Sequence, residues 1–149
     1  MTPIDVTAAI VTVLTTAFPA WTVEAHGGTF TERELPLLLA KVPCILLSVQ
    51  GFPQFLPHGP QRWSAELDLA VTIFSRDEPD VSRAEQALEA AFTLLTLLPG
   101  QRWGLDAAKP PVADSLRADN LYSGYVNNLR VALWSVAWKQ PFILEPPSP

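Results

Sequence analysis

Residues 63–74 constrain this chain most. Every odd position there is apolar: Trp63, Ala65, Leu67, Leu69, Val71 and Ile73. The even positions open with Ser64, Glu66 and Asp68. Side chains alternate between the two faces of a strand, so the pattern predicts a one-faced strand about twice the usual length. A second run, residues 122–142, is longer and changes its apolar face. Leu129, Val131 and Leu133 are apolar at odd positions, then Trp134, Val136 and Trp138 at even ones. A strand changes its buried face only through a bulge, a twist or a second covering layer. Gly124 and Asn127-Asn128 are alternative breaks. The expectation is that this strand leaves its own core near residues 131–134, by a bulge or by passing under another subunit. Ribbons of this length in 149 residues point to a scaffold that pairs with other subunits.

The remaining elements follow from caps and breakers. Thr2-Pro3-Ile4-Asp5 is a helix start, with Thr2 as cap, Pro3 in the first turn and Asp5 at the positive end. Ile4, Val6, Ile10, Val13, Leu14 and Ala17 continue at helical spacing until Phe18-Pro19. Residues 21–25 predict a short strand, residues 29–34 a polar segment, and residues 36–39 a short turn of helix. Residues 44–49 are continuously apolar, as in a central strand buried on both faces. Residues 51–61 carry three prolines and two glycines and predict a loop, one unusually rich in apolar side chains at Phe52, Phe55 and Leu56. Such a loop is either tucked on the core or used for contact. Ser82 with Glu85 predicts a capping box, with Asp80 as an alternative cap. Val81, Ala84, Leu88, Ala91, Phe92, Leu95 and Leu98 form a single stripe behind it, with Arg83, Glu85, Gln86 and Glu89 facing away. Pro99-Gly100 ends that helix. Residues 112–117 predict a strand and residues 118–120 a turn. The expected fold is one α+β domain over residues 1–144, with a mainly antiparallel sheet of long strands. An N-terminal helix and one long amphipathic helix pack on one face, and residues 145–149 form a proline-rich extended tail.

Charge narrows the function. The net charge is −5 and Lys and Arg are scattered, which argues against a nucleic-acid-gripping surface. Charged residues make up 17% of the chain, against about 25% in an ordinary soluble domain. Either a partner covers much of the surface, or a large core lies under a sparse polar skin. The single cysteine, Cys44, lies in an apolar run and reads as a small buried hydrophobe. No signal peptide is expected, and no apolar run reaches the ~20 residues that span a bilayer. The expected location is cytoplasmic.

No motif carries catalysis. His26 and His58 each stand beside glycine and read as solvated loop histidines. Glu24 and His26 share one strand face and could hold a metal, yet no third ligand accompanies them. No phosphate-binding loop, nucleophile elbow or dinucleotide-binding glycine pattern occurs. Glu66 and Asp68 also share one strand face; the plainer reading makes them the solvent, partner or channel side of the strand. Most of the five tryptophans read as core. Trp103, between Arg102 and Gly104, reads as an exposed anchor.

An N-terminal amphipathic helix, the buried strand Pro43-Cys44-Ile45-Leu46-Leu47, a long alternating strand, one long helix and a long closing strand follow in that order. Over residues 2–144 this resembles the tail terminator proteins of tailed phages, the Mu-like contractile-tail group first and the lambda tail terminator more distantly. Residues 51–61 and the proline-rich tail have no counterpart in that pattern. The resemblance implies a structural protein of the virion tail, without catalytic residues or cofactor, assembled in the host cytoplasm. It implies a homo-hexameric ring that caps the tail tube protein, stops tube polymerisation and offers a docking face to the head/neck connector protein. DNA would only pass through. An acidic lumen would let it slide without sticking. The expected contact residues are Phe52, Phe55, Leu56, Trp103, Trp134 and Trp138, with Glu66 and Asp68 toward lumen or solvent. Two other readings stay open: another neck or tail-completion protein of a phage or phage-derived contractile particle, and a small non-catalytic protein-binding adaptor. An enzyme is not expected.

Overall fold

A computed structural model describes residues 1–28 and 33–148. Most of the polar segment at residues 29–34, and the last residue of the tail, lie outside the described residues.

The architecture is α+β, built on a five-stranded sheet of order β1-β2-β3-β5-β4. The strands are β1 (Thr22–Ala25), β2 (Cys44–Pro57), β3 (Trp63–Arg76), β4 (Arg117–Asn120) and β5 (Val131–Leu144). β2, β3 and β5 are each 14 residues long and pair antiparallel along their full length. At about 3.4 Å per residue they form a ribbon about 45 Å long. β1 joins parallel to the first four residues of β2, and β4 pairs with residues 134–137 of β5.

Two helices cover one face. α1 (Pro3–Ala17) has the expected start: Thr2 Oγ1 accepts from the Asp5 amide, and Asp5 reaches back to the Thr2 amide. That bond to the Thr2 amide holds the Asp5 carboxyl below its ordinary range. α1 buries Val6, Ile10 and Leu14. A later long helix (Arg83–Leu97, α3 in chain order) has Ser82 as its cap, with Ser82 Oγ accepting from the Glu85 amide, which is the Ser82 half of the expected capping box. It buries Ala87, Ala90, Ala91 and Leu94. Both pack on the odd positions of β3, on Ile45 and Leu47 of β2, and on Val136, Trp138, Phe142 and Leu144 of β5.

The stripe read along α3 is rotated from the observed one. Leu88 and Phe92 point outward, and alanines take the inner positions. Small residues let the helix axis approach the sheet closely, so the bulky pair is left for the other side.

The face switch of the last strand comes from the break at Gly124 and Asn127-Asn128 and from a second covering layer, not from a bulge or passage under another subunit. β5 begins only at Val131, because residues 124–128 form a short helix, Gly124–Asn128 (α4). β5 then pairs with β3 in unbroken register, with neither bulge nor departure from its own core. Val131 and Leu133 are buried under a second, smaller layer on the opposite face. There they meet Cys44, Leu46 and Phe74 of the sheet, Leu35 of the short helix Leu35–Leu38 (α2), and Val126 of α4. Helices therefore lie on both faces, the second layer covering one end only.

Two further readings are corrected. Residues 51–57 are strand, not loop. Pro53 is tolerated because it lies on an outer edge, where a missing amide breaks no ladder. Two register shifts, between Val49 and Gly51 and between Gly51 and Gln54, admit the extra residues. Only residues 58–62 turn, and Gly59 there has a left-handed φ of 121° that a side chain would strain. Residues 117–120 are likewise a strand rather than a turn, following a single 3-10 turn at Ala113–Ser115.

Candidate functional site

Three surfaces stand out, and the long ribbon positions all of them.

The first is the hairpin end of the sheet. Phe55 stacks on Trp63 with ring centroids 5.9 Å apart and 14° between planes, and Phe52 meets Phe55 edge-on at 6.4 Å. Phe52 is 49% exposed and Phe55 54%. Leu56 is exposed to the same degree as Phe55. With Pro3, Leu144 and Pro146 these rings border a shallow, largely apolar cleft of about 350 Å³. An apolar cluster of this kind, held in fixed ring–ring geometry, suits protein contact.

The second is the outer edge of β2. β1 covers residues 44–47 only; beyond them no strand among the described residues pairs with the outer side of β2. The other edge of the ribbon is closed. Val112 donates to Lys139 O, Lys109 to Pro141 O and Leu121 to Leu133 O, while Ile143 donates to Ala107 O. An open edge can add a strand from another chain.

The third is the outward side of α3. Leu88 is 54% exposed and Phe92 66%, one turn apart. Beside Leu88 lies a cleft of about 310 Å³ bordered by Tyr122 and Trp134.

Trp103 and Trp138 are corrections. Trp103 is 3% exposed and Trp138 is fully buried, so neither is a surface anchor. Their rings lie 6.0 Å apart, and both indoles donate to Oε1 of the buried Gln140, at 2.8 Å from Trp103 and 3.0 Å from Trp138. Gln140 Nε2 donates to the carbonyls of Gln101, at 2.9 Å, and Lys109, at 2.7 Å. All four hydrogen-bonding positions of that amide are used. The network ties the segment after α3 to β5 and holds Trp103 in a left-handed backbone conformation, φ 59°. Trp134 is half-buried and reaches both the core and the cleft beside α3.

Glu66 and Asp68 lie half-buried on the face away from α1 and α3, with Lys139 directly opposite Asp68 in the register. Asp68 borders a trough of about 400 Å³ floored by small residues, among them Ser48, Ala70, Ser135 and Ala137, with Arg117 at its wall. The Glu24 carboxylate is engaged by Lys41 Nζ at 2.8 Å, and His26 Nε2 lies 3.6 Å from Glu34. Among the described residues, no three His, Cys, Asp or Glu side chains converge in a metal-holding group. Cys44 is buried, and desolvation, with a smaller contribution from Glu24, pushes its thiol up to about 12. It stays protonated and unreactive at neutral pH. Among the described residues no helix is long and apolar enough to cross a membrane.

The strand alternation did not reveal the α3 surface. A signal was present: Ala87, Ala90 and Ala91 form a second, small-residue stripe beside Leu88 and Phe92, and only one of the two stripes can face the sheet. No protein-family model matches the chain, and no curated protein matches it either.

Proposed function

We propose that this chain is a structural tail terminator of a phage or phage-derived contractile particle. In this reading identical copies close into a ring, six as the family resemblance implies. The ring caps the tail tube, stops its growth and presents a docking face to the neck. The observation that carries the reading is the three-stranded ribbon, with an aromatic cluster at its end and an open outer edge on β2. A ring needs surfaces of this kind between identical copies. The element order along the chain supports the same family. A mildly acidic chain suits a passage for DNA, since each copy adds −5 to the ring.

The test is tube polymerisation. Tail tube protein is polymerised with and without this chain, and tube lengths are measured by electron microscopy. Tubes should shorten as the chain is added, with extra density at one end only. Tubes of unchanged length with bare ends would contradict the proposal.

A further inference from the structure

Resting on the ring reading, we infer that the hairpin end of one copy docks on the outward face of α3 of the next copy. The two surfaces lie toward opposite ends of the ribbon. The hairpin cluster stands where β2 and β3 meet and β5 ends, whereas Leu88 borders residues 131–134, where β5 begins. About 45 Å of strand separates those ends, so a chain cannot satisfy one surface with the other.

Charge selects the pairing. Residues 44–65 contain no Asp or Glu, the hairpin turn carries His58 and the exposed Arg62, and Glu145, which also borders the aromatic cleft, is paired with the Met1 ammonium at 3.7 Å. Residues 84–97 contain no Lys or Arg, and Glu85 and Glu89 are exposed beside Leu88 and Phe92. Arg83, which also borders the cleft, is held by Asp77 at 3.0 Å and Asn127 at 2.8 Å. A hairpin-to-hairpin contact would set Arg62 against Arg62, and a helix-to-helix contact Glu89 against Glu89. Each surface therefore suits the other better than itself. The hairpin rings are already fixed by the Phe55–Trp63 stack, so docking them loses little side-chain freedom. Such a contact is head-to-tail, the kind that closes into rings.

Native mass measurement on surface variants tests this. Phe55→Asp disables the hairpin and Phe92→Asp disables the helix face; neither residue belongs to the core. Each variant alone should fall to monomer, with association weakened about 30-fold or more, the scale of an interface hot spot. Mixed in equal amounts, they should form a one-to-one dimer, because one intact hairpin then meets one intact helix face. Arg62→Glu and Glu89→Arg should each weaken the assembly, and the double variant should recover it. If Phe55→Asp dissociates the assembly while Phe92→Asp leaves it intact, the contact is hairpin-to-hairpin and the inference fails. A ring that survives both Asp variants also overturns the docking while leaving the ring reading standing. A wild-type chain that stays monomeric at every concentration, alone and with tubes, overturns the ring reading and the docking with it.

Discussion

Replacing Gln140 with methionine removes a hydrogen-bonding hub while keeping side-chain length and most of its volume, so the cavity contribution is small. Four groups lose their partner: the indole N–H of Trp103 and of Trp138, and the carbonyls of Gln101 and Lys109. The two carbonyls belong to residues with access to water. The two indoles belong to buried residues and do not. A buried donor left unpaired costs about 1–3 kcal/mol, so the pair costs about 2–6 kcal/mol. A domain of this size has about 5–15 kcal/mol in total. In urea, at a slope of about 2 kcal/mol/M, the midpoint should fall by about 1–3 M. Circular dichroism reads the transition without relying on the altered tryptophan environment. Trp103→Phe should cost less, because Gln140 Oε1 keeps Trp138. The double variant should cost less than the sum of the two, since both remove the same bond. A Gln140→Met midpoint within about 0.3 M of wild type would refute the claim that this network holds the segment after α3 onto the sheet.

Two further perturbations read separate parts of the fold. Ser82→Ala removes the acceptor for the Glu85 amide and should lower stability by about 1 kcal/mol in the same urea experiment; an unchanged midpoint would show that the cap contributes nothing. Cys44 should react with a disulfide reagent only as fast as the chain unfolds. Because burial raises its folded value to about 12 while an unfolded thiol sits near 9, the folded state holds the extra proton between those values. Stability should therefore fall by up to about 1.4 kcal/mol per pH unit above pH 9 in wild type relative to Cys44→Ala; parallel pH profiles would contradict the burial.

The sheet was legible where one face alone decides the pattern. β3 alternates along residues 63–73 because α1 and α3 cover one side of it, and both long helices announce their starts through Thr2 and Ser82. Misreadings arose where two demands met on one segment. Residues 51–57 looked like a loop because proline and glycine are tolerated on an outer edge strand as well as in turns. The face switch in β5 marks a second covering layer and the break at residues 124–128, both among the readings its pattern allows, but the residues of that layer, Leu35 and Val126, are too far along the chain for a local pattern to name them. Leu88 and Phe92 share a helical-period stripe with Ala84, Leu95 and Leu98, and periodicity does not separate it from the neighbouring stripe of Ala87, Ala90 and Leu94 that packs on the sheet. Trp103 stands in an irregular stretch, and the partner that buries it, Gln140, lies 37 residues away, beyond the reach of any local pattern.

The central claim, that identical copies of this chain close into a ring, is tested most directly by negative-stain imaging of the purified protein, alone and with tail tubes. Class averages should show a closed ring with six-fold symmetry, free in solution or seated on one end of each tube. Single small particles at all concentrations, with tube ends bare, would contradict it.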